Sequence, residues 1–256
     1  MLEHNFILDT DSYKAGHFRQ YPPETQQLFG YMESRGGHYD QTLFFGLQYL
    51  LKKYFSKPIT LDDIVEASNF FAHHGEPFPA EGWKHILKKH GGFMPVRIRA
   101  VPEGTLVPNH NVILTVEGTD PKVPWIVGWI ETQIMRLWYP ITVATRSWEC
   151  KRIILKYLKE TADDPWSELL YKLHDFGSRG VSSAESAGIG GMSHLVNFLG
   201  SDTIEGVRYA NHYYGCKTGM AGVSIPAMTP WRALDISIAR AFARSGGTAL
   251  PVCTLP

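Results

Sequence analysis

Val96, Ile98 and Ala100 alternate with Arg97 and Arg99, and Val112, Leu114 and Val116 alternate with more polar neighbours. A period of two, with Pro and Gly between the runs, predicts antiparallel strands with one face in water. Residues 27–35 read as a further strand, and residues 6–8 as a strand or an extended lead-in. Other stretches have helical spacing. Residues 43–55 carry a helical apolar pattern and a basic last turn, which suits a helix C-terminus. Asp11-Ser12-Tyr13-Lys14 offers capping residues for a short helix ending near Tyr21, where Pro22-Pro23 stops it. Thr60 with Asp62 and Asp63 predicts a helix to about His73, and residues 81–89 predict another. Residues 123–139 and 142–160 are expected to be two long helices joined at Pro140. Beyond residue 170 the texture changes again. A short strand over 170–173 is followed by a capping box at Ser182–Glu185, which opens a helix to about Phe198. Asp202 and Glu205 repeat that logic before a helix to about Tyr214. Strands alternating with helices predict βα units.

Composition narrows the class. The chain has 256 residues, 44% of them hydrophobic and 20% charged, which excludes a mainly disordered protein and allows one large domain or two modest ones. Lys+Arg and Asp+Glu are both 25, so no global positive field attracts nucleic acid or an anionic membrane. Cys150, Cys216 and Cys253 form no CxxC, Met1 to Asn5 has no signal-peptide character, and no apolar run is long enough to span a bilayer. A reduced, cytoplasmic setting is expected. From Met228 onward there are three arginines, one aspartate and no lysine or glutamate, whereas residues 1–227 use lysine freely.

Candidate chemistry concentrates in Leu173-His174-Asp175-Phe176-Gly177-Ser178-Arg179-Gly180-Val181-Ser182-Ser183. Glycines flank an arginine after a strand and before a helix. Ligands of βα folds gather at the carboxyl ends of strands, and a helix N-terminus with an arginine favours a phosphate. The plainer reading is a Gly-rich loop with one solvated arginine. Phe176 is either a flat face for an aromatic ring or a core residue. Asp202 by itself reads as an N-cap. His174 and Asp175, adjacent on a strand, point to opposite faces and form no dyad. His73-His74 and His110 lack a third ligand at metal spacing, so no metal site is expected. There is no GxSxG.

Residues 8–14 (LDTDSYK), with His17 and Gln20-Tyr21-Pro22-Pro23, resemble the opening of the nicotinamide phosphoribosyltransferase family. So do Phe45-Gly46-Leu47-Gln48-Tyr49, Ala100-Val101-Pro102-Glu103-Gly104, residues 138–145 and the run from Leu173 through Gly200. The similarity covers residues 5–227. It implies a type II phosphoribosyltransferase fold, α/β plus α+β: an incomplete α/β barrel with an additional antiparallel-sheet domain. Residues 1–145 would form mainly the α+β domain and residues 146–227 the start of the barrel, with 228–256 a divergent tail. The implied reaction joins nicotinamide to the ribose of phosphoribosyl pyrophosphate, PRPP. Mg2+ accompanies PRPP, and ATP is a stimulating co-substrate. The implied assembly is a homodimer with shared active sites. On this resemblance Phe176 stacks on the pyridine ring, and Tyr13 of the second subunit covers its other side. Asp202 accepts a hydrogen bond from the carboxamide. Arg179 holds a phosphate or pyrophosphate, and Arg35 approaches a phosphate from the second subunit. Nicotinate phosphoribosyltransferase is the alternative that Asp202 disfavours. After residue 227 the family pattern of Glu-His-Ser-Thr is replaced by Met228-Thr229-Pro230-Trp231. The altered composition reads as a shifted reading frame, so a truncated product inactive on its own is expected. A non-catalytic remnant that binds a partner or a pyridine is the second reading.

Overall fold

The computed structural model describes residues 4–216 and 219–224, and the chain divides into two units at Ile141/Thr142. The tail from Met228 lies outside the described residues. Among the described residues no helix is long and apolar enough to cross a membrane.

The first unit opens with a 3-10 helix, Ser12–Arg19. There follow β1 (Phe29–Glu33), β2 (Gln41–Leu43), α1 (Leu47–Leu50) with a π-turn over Leu51–Phe55, α2 (Leu61–His74) and α3 (Ala80–His90). Next come β3 (Val96–Ala100), β4 (Leu106–Pro108), β5 (Val112–Gly118), α4 (Ile126–Trp129) and α5 (Glu131–Met135). The strands form an antiparallel sheet in the order β1-β5-β3 and a separate β2-β4 pair. Alternation along β3 and β5 holds only in part: Val112 and Ala100, expected on the buried face, are exposed, and Ile113 on the opposite side is buried. Leu114 and Val116 are buried, while Arg97 and Arg99 on the wet side both reach Glu117 at 2.8 Å. The core is aromatic. Trp83 lies 5.1 Å from Trp129 and 5.2 Å from Trp125, ring centre to ring centre, in edge-to-face geometry.

Several sequence expectations change in this unit. Residues 6–8 form a turn instead of a strand: the Ile7 N–H donates to the Asn5 side chain at 2.9 Å, and Leu8 N–H to the Asn5 carbonyl. This local side-chain turn outcompetes extension. In residues 43–55, Leu43 ends β2 and the helix starts only after Gly46. Gly46 has φ +108°, and a Cβ there would sit 2.6 Å from Pro140 Cγ. Glu103 then accepts the N–H groups of Gly46 and Gln48 at 3.2 and 2.6 Å, so two distant motifs meet as helix start and cap. Thr60 and Asp63 make the reciprocal capping box the sequence suggested. The run 123–139 divides into α4 and α5 at Ile130, whose φ of −81° and ψ of −2° stay right-handed but flatten the turn.

Pro140 does not separate two helices. It is the third residue of α6 (Trp138–Thr161), which continues into the second unit. In the first turn a backbone N–H has no intrahelical partner, so proline is tolerated there.

The second unit continues with α7 (Pro165–Leu169), a 3-10 turn over Gly177–Gly180, α8 (Ala184–His194) and α9 (Ile204–Tyr214). The expected strand at 170–173 is a turn. Among the described residues of this unit, extended pairing is confined to parallel bridges, Asp175 with Ser201 and Gly200 with Val223. Helices α8 and α9 approach closely because Gly191 faces Gly206: a Cβ on Gly206 would lie 2.5 Å from Gly191 Cα. Both helix starts are displaced by one residue from the sequence reading. Ser183 caps α8 through the Ser186 N–H at 3.0 Å, and Thr203 is the residue before α9.

Candidate functional site

The parallel bridges fix the site. Asp175 N–H donates to the Gly200 carbonyl at 3.2 Å, Asp202 N–H to the Asp175 carbonyl at 2.9 Å, and Ser201 N–H to the Val223 carbonyl at 3.0 Å. Three segments thus run side by side, and each is followed by polar or aromatic side chains. Beyond the first, Asp175 Oδ1 accepts the Gly177 N–H at 2.8 Å and turns the chain into the Gly177–Gly180 turn, which packs on α8. Phe176 is left 59% exposed, so it is not the core residue that sequence reasoning allowed. Arg179 is also exposed and makes no ion pair among the described residues.

Asp202 does not cap α9. Its Oδ2 accepts His174 Nε2–H at 3.0 Å, and its Oδ1 accepts the Ser224 hydroxyl. His174 reaches this position because residue 200 is glycine: a Cβ there would stand 2.4 Å from His174 Nδ1. That buried Nδ1 has no partner. A buried lone pair is less costly than a buried unsatisfied N–H in a site without acceptors, which assigns the proton to Nε2. The Phe176 ring lies 4.7 Å from His174, so an exposed aromatic face and a fixed, part-exposed carboxylate share one imidazole as their support.

Of the residues the sequence singled out, Phe176, Arg179 and Asp202 all lie in the second unit, around these segment ends. Tyr13 and Arg35 lie in the first. Tyr13 is 57% exposed on the Ser12–Arg19 turn, and Arg35 is exposed just after β1. The residues around Tyr13 are structural. Asp9 receives Arg136 through two bonds of 2.7 and 2.6 Å, Thr10 donates to the Trp129 carbonyl, and Lys14 meets Glu131 at 2.6 Å. Sequence reasoning missed His174 and Ser224 as the supports of Asp202. The requirement for glycine at position 200 was the available signal.

Beneath the site, His194 is buried with Nδ1 on the Ser147 hydroxyl at 2.9 Å and Nε2 on the Leu173 carbonyl at 3.2 Å. Burial pushes its pKa below the ordinary histidine value, only partly offset by the Asp175 charge. The folded pKa is therefore lower than the unfolded one of about 6.5. As pH falls below that value the unfolded chain takes up a proton that the folded chain refuses, and stability falls. Urea midpoints are expected to drop between pH 7.5 and 5.5, and His194→Gln is expected to flatten that drop. An unchanged slope in the variant would remove His194 as its origin.

Residues 5–98 match the family described as nicotinamide phosphoribosyltransferase, N-terminal domain, and residues 171–231 match the nicotinate phosphoribosyltransferase (NAPRTase) family. A curated nicotinamide phosphoribosyltransferase of Xanthomonas campestris pv. campestris is 54% identical over 87% of this chain and 47% of its own length. The protein of that name from Acinetobacter baylyi is 31% identical over 85% of this chain and 46% of its own length. The crystal structure of human nicotinic acid phosphoribosyltransferase superposes with a TM-score of 0.56 at 19% identity, over 86% of this chain and 39% of that one, which shows a shared fold. The chain thus spans about half the length of the curated relatives it matches. Its opening motifs lie inside the match to the nicotinamide phosphoribosyltransferase N-terminal domain and its His174–Gly180 segment inside the match to the nicotinate phosphoribosyltransferase family, so the chain is similar to about half of a nicotinamide phosphoribosyltransferase.

Proposed function

We propose that this chain carries the pyridine-recognising residues of a nicotinamide phosphoribosyltransferase, which moves the phosphoribosyl group of PRPP to nicotinamide and yields nicotinamide mononucleotide and pyrophosphate. The observation that carries the proposal is the exposed Phe176 beside an Asp202 carboxylate held by His174 and Ser224. Phe176 supplies one face for the pyridine ring. Each Asp202 oxygen keeps a lone pair for the carboxamide N–H. A nicotinate carboxylate would meet a like charge there, which disfavours it as substrate.

The pyridine nitrogen is a neutral nucleophile and needs no base. The transition state at the ribose has oxocarbenium character, as in glycoside hydrolysis. The protein's work is therefore positioning and charge stabilisation. Arg179 would hold the pyrophosphate end of PRPP, and a Mg2+ ion bound with PRPP would supply neutralisation of the charge developing on the leaving group. Tyr13 and Arg35 are contributed by a second copy in a homodimer, and ATP is a stimulating co-substrate. The parallel bridges at Asp175, Gly200–Ser201 and Val223 support reading this unit as the start of an α/β barrel.

Titration of the isotopically labelled chain with nicotinamide tests the proposal by NMR. Each ring stack contributes about 0.5–1.5 kcal/mol beyond area burial, so binding between roughly millimolar and high micromolar is expected. Shifts should centre on Phe176 and Asp202 and weaken in Phe176→Ala. Unchanged affinity in that variant would overturn the assignment. Product formation from nicotinamide, PRPP and Mg2+, with and without ATP, is read in parallel by mass spectrometry.

A further inference from the structure

A second polar centre lies in the first unit and plays no part in the chemistry above. Helix α3 carries His85 at its middle and Lys89 and His90 in its last turn, and Asp120 follows β5. Asp120 is 2% exposed. Its Oδ2 meets His90 Nε2 at 2.7 Å, His85 Nε2 at 2.8 Å and Lys89 Nζ at 2.9 Å. Its Oδ1 accepts the Lys122 N–H at 3.0 Å, which fixes the carboxylate plane. One carboxylate oxygen with two lone pairs thus receives three donors. The ligand atoms of His85, His90 and Asp120 all lie within 4.8 Å of one another.

We propose that His85, His90 and Asp120 bind one divalent transition-metal ion, with Zn2+ the best fit, and that the ion pins the end of α3 to the segment after β5. Two imidazoles and one carboxylate form a ligand set for zinc-like ions, whereas Mg2+ and Ca2+ prefer oxygen ligands throughout. Bonds of about 2.0–2.1 Å at tetrahedral angles place neighbouring ligand atoms about 3.3 Å apart. The present separations of 2.7 and 2.8 Å need to open by only about half an ångström, which small rotations of two part-exposed imidazoles provide. Lys89 cannot ligate while protonated. Its side chain is 54% exposed and swings into solvent, leaving the fourth position to water. Sequence spacing concealed the set, because the carboxylate lies 30 residues beyond the second histidine.

The test titrates the full chain, free of any affinity tag, with Co2+ and then Zn2+. One equivalent of Co2+ per chain is expected, with the visible absorption of a tetrahedral ion, displaced by one equivalent of Zn2+. Zn2+ at a hundredfold excess over its dissociation constant is expected to raise the melting temperature by about 5–10 °C. His85→Gln with His90→Gln should abolish the band while near-ultraviolet circular dichroism shows the fold retained. His73→Gln with His74→Gln should leave it unchanged. Lys89→Gln should tighten binding several-fold by removing the competing cation. Absence of a tetrahedral Co2+ band in the folded parent protein overturns the proposal, as does a band that survives loss of both histidines.

Discussion

Asp202→Asn is expected to move ligand preference from nicotinamide toward nicotinate by about 10²–10³. In the parent chain the two carboxylate oxygens accept from His174 and Ser224, and under the proposed function they accept from the ligand amide as well. Asn keeps the shape but has one oxygen, so a donor loses its acceptor. A hydrogen bond to a charged group contributes about 1.5–3 kcal/mol, which corresponds to roughly tenfold to 150-fold in nicotinamide affinity. Nicotinate gains in the opposite direction, because a negative charge facing its carboxylate is replaced by an N–H donor. Paired titrations with nicotinamide and nicotinate measure the ratio. His174→Asn should shift it in the same direction but less, because His174 acts only by orienting Asp202. A ratio unchanged in Asp202→Asn would mean that the carboxylate faces away from the ring substituent.

Gly206→Val should cost the second unit about 3 kcal/mol or more, against a typical total of about 5–15 kcal/mol. The added Cβ would meet Gly191 Cα at 2.5 Å, Gly191 C at 2.8 Å and Met192 N at 3.2 Å. All three are backbone atoms, so no side chain can rotate aside and α8 must move away from α9. Because α8 follows the Gly177–Gly180 turn and α9 follows Asp202, the same displacement should weaken nicotinamide binding. Gly180→Ala is the control: a Cβ there meets nothing within 4 Å, and a change within about 0.5 kcal/mol is expected. Urea denaturation followed by circular dichroism reads both. A Gly206→Val midpoint equal to that of the parent would show that the helices have slack the structure does not suggest.

The sequence by itself determined what depends on local pattern. Alternation of Val96, Ile98 and Ala100 with arginines made a half-wet strand, because side chains on a strand must point to opposite faces. Thr60 and Asp63 started a helix because the two groups satisfy each other's backbone N–H within four residues. The glycines and arginine of Leu173–Ser183 were legible as an irregular turn before a helix, and the segment falls inside the match to the nicotinate phosphoribosyltransferase family.

Tertiary structure alone decided what depends on residues far apart in the chain. Asp202 had the spacing of an N-cap, yet it serves His174, 28 residues earlier, because Gly200 lets that ring sit against the backbone. Residues 170–173 had strand character, but pairing occurs only at Asp175, where a neighbouring segment is in register. Glu103 caps a helix 55 residues away, and Asp120 gathers two histidines and a lysine from α3. In each case the partner's position is set by packing, and no local periodicity encodes it.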